Sequence, residues 1–251
     1  MLAPVDSISQ VQHPNILWII AEDMSQDQAC YGNGIVKTPV IDKLAADGMR
    51  FTHMFTAAGV CAPSRSAIAT GIYQNGIGAM HMRYADHLKP NLPDGIETIA
   101  QILRDHGYQT VGKGKKDYMF KIEGEAFEFE DIAEIDPKKP FFARINSHYT
   151  HRIFKNDSLN PISPNQIALP PYYPNVGPLR DDWAAYLENI QLLDREVGNM
   201  LDRFEEFGLL ENTTISFYRI MGDLSLRENI GCMIVVHGYH SLSGFLNRYY
   251  R

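Results

Sequence analysis

The chain has 251 residues, 45% of them apolar and 21% charged, enough for one large domain with a sizeable core and too apolar for extended disorder. Acidic residues number 30 against 23 lysines and arginines, a net charge of −7, so nothing general draws the protein to nucleic acid or an anionic bilayer. No run approaches the roughly 18 consecutive apolar residues of a membrane-spanning helix, and three scattered cysteines, Cys30, Cys61 and Cys232, form neither a disulfide framework nor a zinc-type CxxC pair.

Met1 to Val11 lack the basic start and apolar stretch of a secretory leader, so no localisation is expected from this end. Asn15 to Ile20 is a short apolar run that predicts a buried parallel strand, with Glu22 and Asp23 just past its carboxyl end. Thr38-Pro39 predicts a helix start, Thr38 as N-cap, with Ile41, Leu44 and Ala45 as the apolar stripe and Gly48 as the stop. Ser64 to Thr70 predicts a second helix closed by Gly71, and Ile96 to Asp105 a third closed by Gly107. Strands are predicted at Gln109 to Val111 and Pro140 to Asn146. A proline-rich stretch from Asn156 to Pro178 predicts an irregular surface excursion. Arg180 to Phe207 carries apolar residues at helical spacing and predicts one long amphipathic helix closed by Gly208. Thr213 to Phe217 predicts the last strand. Alternating strands and helices predict an open, mostly parallel α/β sheet, in which ligands gather at the carboxyl ends of the strands.

Four polar features fall at such ends. The Glu22-Asp23 pair offers oxygen ligands to a hard cation, although acidic residues there are commonly just solvated. Cys61 opens a helix, where the macrodipole favours an anion or a nucleophile; a buried, inert cysteine is the plainer reading. Lys113, Lys115 and Lys116 follow a strand and offer positive charge to a phosphate or sulfate, or merely a solvated turn. His148 and His151 follow another strand, each a general acid, a ligand or an ordinary loop histidine.

Taken with its neighbours, Cys61-Ala-Pro-Ser-Arg-Ser-Ala-Ile-Ala-Thr-Gly71 resembles the type I sulfatase signature CxPSRxxxxTG. Pro14 to Asp23 resembles that family's first strand and acidic pair, with Glu22 where aspartate is usual. Thr38-Pro39 to Gly48, Pro140-Phe-Phe142, Thr150-His151 and Asp194-Arg to Val197-Gly198 follow in order, so the resemblance spans residues 14–217.

That resemblance implies an alkaline-phosphatase-like α/β fold, a sandwich of helices on a central sheet, and a sulfuric ester hydrolase acting on a sulfated small molecule or carbohydrate. It implies that Cys61 is oxidised to formylglycine by a separate maturation enzyme. The hydrated aldehyde carries two hydroxyls, one to attack sulfur and one to expel sulfate. A divalent metal, calcium by family habit, is implied at Glu22, Asp23 and Cys61. Arg65 is implied to hold the nucleophile. The family's lysine-x-histidine segment falls at Lys115-Lys116-Asp117 with Asp117 in the histidine's place, or at Lys113-Gly114-Lys115. Lys115 is then the sulfate-binding cation, His151 the leaving-group acid or sulfate contact, and Lys113 and His81 substrate contacts. A phosphonate or phosphate monoester hydrolase of the same superfamily, and an inactive fragment, are the alternative readings. Family members are often periplasmic, secreted or lysosomal.

After Phe217 the family carries SDHG or SDNG, whereas here Tyr218-Arg-Ile-Met-Gly222 stands. Read one base out of frame, Tyr218 to Gly222 can encode SDHG, Cys232 to Val236 a tyrosine or histidine followed by DSG, and Gly238 to Leu246 VPLIIRFP, at the spacing of the family's SDHGxxLPRxKRWLYDSGxxVPLI. Residues 218–251 are therefore expected to be an out-of-frame tail that adds no core. The sheet would then stay incomplete at its carboxyl-terminal side and expose apolar surface that favours aggregation.

Overall fold

The computed structural model describes residues 13–82, 84–221 and 230–237. Met1 to Val11 and Gly238 to Leu246 lie outside them, as does Arg83. In chain order the main elements are β1 (Asn15–Asp23), α1 (Pro39–Asp47), β2 (Met49–Phe55), α2 (Cys61–Thr70), α3 (Ile99–Asp105), β3 (Gln109–Lys113), β4 (Phe141–Asn146), α4 (Gly177–Glu206), β5 (Thr213–Met221) and β6 (Ile230–His237). They build one six-stranded sheet in the order β2-β6-β5-β1-β4-β3. β1 lies at its centre, parallel to both β4 and β5, and β3 is parallel to β4. β6 runs antiparallel between β5 and β2.

Period-two alternation decides what each face buries. Leu17, Ile19 and Ala21 of β1, Ala143 and Ile145 of β4, and Ile215 and Phe217 of β5 join the α1–α4 core with Leu44, Leu193, Val197 and Phe204. Trp18 and Phe142 face the other way, edge to face at 5.0 Å, under α2 and α3. Nearly every residue of α4 that the amphipathic pattern turns inward is buried, from Leu187 through Leu201.

Polar side chains of α4 hold the neighbouring segments. The buried carboxylate of Asp194 accepts from the Val40 and Ile41 amides at 3.2 and 2.8 Å, capping α1 from outside. Thr38 keeps the N-cap position, but its side chain makes no cap bond; its hydroxyl accepts from the Ala29 amide and donates to Asp42 instead. The proline-rich excursion is likewise pinned. Glu188 accepts from the Asp157 and Ile162 amides, each at 2.7 Å, and Arg195 grips Asp157 with both guanidinium nitrogens.

Several boundaries differ from the sequence reading: β1 runs on to Asp23, so that Glu22 and Asp23 lie within it, α2 starts at Cys61 and β3 runs on to Lys113. α3 starts at Ile99 because Thr98, with Gln101, forms a reciprocal capping box, and α4 starts at Gly177 with Pro178 in its first turn. β5 runs on to Met221. The larger correction concerns residues 218–221 and 230–237. They continue the sheet through β6, whose Ile234 and Val236 are buried in the α1–α4 core, so this part of the tail does add core. β6 in turn brings in β2, an edge strand the pattern did not single out, on which Met49 and Phe55 stay exposed.

Candidate functional site

Glu22 is the last β1 residue on the α2 face and is wholly buried. Its Oε1 accepts from Arg65 Nη2 at 2.9 Å and from Asn146 Nδ2 at 3.1 Å, and its Oε2 from Lys115 Nζ at 3.2 Å. Arg65, only 1% exposed, lies four residues into α2 from Cys61, one helical turn that brings it beside the first residue. Its Nη1 donates to the carboxylate of Asp117, whose side chain is 41% exposed.

Cys61 is buried at the start of α2. Burial pushes its thiol above the usual cysteine range. Arg65 and Lys115 oppose that rise, while Glu22 and Asp117 add to it. The five side chains thus share one electrostatic neighbourhood at the carboxyl ends of β1 and β4.

Behind them, Arg144 of β4 is buried and donates through Nη1 to the Tyr118 hydroxyl at 2.7 Å and through Nη2 to the Lys115 carbonyl at 2.5 Å. It also lies over the rings of Tyr118 and Phe127. Burial lowers its pKa, and burial raises that of Tyr118. Counting Arg144, three cations face two carboxylates on this side of the sheet, which favours an anion.

Of the residues the sequence singled out, Cys61, Arg65, Glu22 and Lys115 come together. Asp23 follows Glu22 as the last residue of β1 and is partly buried. Lys113, two residues before Lys115, lies on the α4 side of β3 in a cleft of about 220 Å³ with Ile145, Met200 and Arg203. Lys116 pairs with Glu130 at the surface. His81 is exposed and packs edge-on to Tyr84. His148 is exposed, and the His151 ring bonds to the Arg152 carbonyl of its own loop. Sequence reasoning missed Asn146 and Arg144 as site residues. Both lie on the Phe142 face of β4, two and four residues on, and that spacing was the available signal.

A divalent cation needs several oxygen ligands free to meet it. Here both oxygens of Glu22 already accept from a guanidinium, an ammonium and an amide. Among the described residues no three of His, Cys, Asp or Glu gather where an ion could sit. Level with Ala21 on β5 stands Arg219, wholly buried, which donates to the Met24 carbonyl. Buried oxygens of Asp23 and Asn146 stand at the same strand ends as Glu22, the donor type that a hard cation takes. No described helix is long and apolar enough to cross a membrane.

Residues 14–133 match the sulfatase family model. The chain is 32% identical over 268 residues to an ulvan-active sulfatase of Formosa agariphila, a match covering 86% of this chain and 45% of that relative; the chain thus spans less than half of the relative's length. Among solved structures, a 2-O GAG sulfatase superposes with a TM-score of 0.68 at 16% identity, covering 89% of this chain and 64% of that one. A phosphonate monoester hydrolase from Silicibacter pomeroyi superposes at 0.69 with 14% identity, covering 91% and 69%. The fold is the alkaline-phosphatase-like one, and through its N-terminal portion the chain belongs to the sulfatase family.

Proposed function

We propose that this polypeptide carries the nucleophile and the anion-holding cations of a sulfate-ester hydrolase, with a sulfated carbohydrate as substrate. The observation that carries the reading is Cys61, in the CxPSR signature, seated at a helix N-terminus between Arg65 and Lys115. The ulvan-active relative supports the carbohydrate. Formylglycine derived from Cys61 would supply a hydrated aldehyde whose hydroxyls attack sulfur and then release sulfate. Arg65 holds position 61 and offsets developing negative charge with a planar fork. Lys115 supplies a mobile ammonium for a sulfate oxygen, released in part from Glu22 as the anion enters. Asn146 keeps Glu22 oriented meanwhile. No described side chain fills the role of leaving-group acid, and His151 would have to leave its bond to Arg152 to do so. Beyond Phe217 the end of β5 and the strand β6 enter this reading only as sheet strands, and sequencing of the locus tests whether another frame restores SDHG.

The test is the intact mass of the Cys61 peptide after co-expression with a formylglycine-generating enzyme, followed by assay on an aryl sulfate and an aryl phosphonate. A loss of about 18 Da at Cys61 with preferential aryl sulfate turnover is expected. An unmodified thiol, or turnover of the phosphonate alone, would overturn the proposal.

A further inference from the structure

We propose that Arg144 is a positioning residue of the Cys61 site, acting by tethering residues 115–118; this rests on the function proposed above. A buried cation is costly unless its charge is matched, and Arg144, 3% exposed, bonds to no carboxylate among the described residues, Glu22 acting on it only through space. Its two bonded partners are a backbone carbonyl and a phenol, and they sit at the two ends of one four-residue segment, Lys115 and Tyr118.

That segment carries two side chains of the site. Lys115 reaches Glu22, and Asp117 reaches Arg65. It belongs to no helix or strand, and follows Gly114, whose φ of 90° and close approach to Asn146 leave no room for a side chain. Backbone bonds within it are few; the Tyr118 amide donates to the Lys116 carbonyl at 3.0 Å, and the next amide, of Met119, donates to Ser66 Oγ at 2.9 Å. Arg144 therefore supplies the link between the rigid strand β4 and the stretch that aims Lys115. An apolar side chain of equal length would fill the same space between the Tyr118 and Phe127 rings, so packing alone does not call for a guanidinium.

The experiment compares the wild type with Arg144→Met, Arg144→Lys and Tyr118→Phe by residue-resolved amide exchange and by aryl sulfate kinetics on the matured protein. Arg144→Met is expected to speed exchange of the Tyr118 amide by about tenfold or more, with core strands β1 and β4 unchanged. It is also expected to cut kcat/KM by about a hundredfold. Tyr118→Phe, which keeps the bond to Lys115, is expected to lose less than about threefold, and Arg144→Lys to recover part of the loss. If Arg144→Met does not fold, Arg144→Lys against Tyr118→Phe carries the same comparison.

Unchanged exchange at Tyr118 overturns the proposal, as does local loosening with full turnover. Uniformly faster exchange across the sheet overturns it too, because that marks a structural role. A matured wild type with no sulfatase activity overturns the proposed function instead, and exchange at Tyr118 then decides the tether by itself.

Discussion

The pair Arg65–Glu22 is the most exacting place to test this arrangement. Arg65→Met strips the fully buried Glu22 of one of its two cations and leaves Lys115 and Asn146 on it. Breaking a buried ion pair from one side costs about 3–5 kcal/mol. The lower end applies here, since Glu22 keeps two donors and the half-exposed Asp117 can rehydrate. At roughly 2–4 °C per kcal/mol for a chain of this size, Tm should fall by about 6–12 °C. Glu22→Gln in the same background removes the stranded charge, and the double variant should regain about 2 kcal/mol of that loss as coupling. Thermal and urea melts of the four proteins measure it. A single-variant loss below about 1 kcal/mol, or strict additivity, would mean that the two side chains do not share a dry environment.

Other perturbations read other parts of the structure. Gly48→Ala would drive a Cβ into the Val235 carbonyl and the Val236 side chain of β6, so it should cost about 1–3 kcal/mol; an unchanged urea midpoint would show that β6 is not docked beside α1. Burial acts to raise the Asp157 carboxyl, but the Arg195 fork and the Leu159 and Asn160 amides outweigh it and hold the carboxyl below the usual carboxylate range. Its stabilisation is then present above the unfolded value of about 3.9 and lost as pH falls through the lower folded value, so Asp157→Asn should lower stability at pH 7 and flatten the acid limb; an unaltered pH–Tm profile would contradict that.

Where periodicity is strong and packing local, the sequence was legible. The runs at Asn15 to Ile20 and Pro140 to Asn146 became β1 and β4, and the apolar stripe from Trp183 to Phe204 became the inward face of α4. What escaped was non-local. β2 is an edge strand that pairs only with β6, nearly two hundred residues on, and neither shows its partner in its own pattern. Thr38 looked like a cap by type and place, yet the cap came from Asp194 on another helix, a choice that only the tertiary arrangement makes. At the site, the signature gave Cys61 and Arg65, and Lys115 followed from the resemblance. Arg144 escaped because an arginine in a buried strand contradicts the apolar pattern that identified the strand; such a contradiction is where function tends to sit.

The acidic pair shows how one period of two can alter chemistry. Adjacent residues on a regular strand face opposite ways, and Glu22 and Asp23 are the last two residues of β1. Glu22 is left among Arg65, Lys115 and Asn146, while Arg219 is buried on β5 across the sheet from them. A carboxylate so placed neutralises two cations that the chain supplies. On the proposed function it is also an internal competitor for those cations, since a sulfate entering beside Cys61 would share Lys115 with it. The same contacts that keep Glu22 soluble in the core therefore weaken the hold of this site on its anion, and the balance between them is set by how firmly Arg144 keeps Lys115 in place.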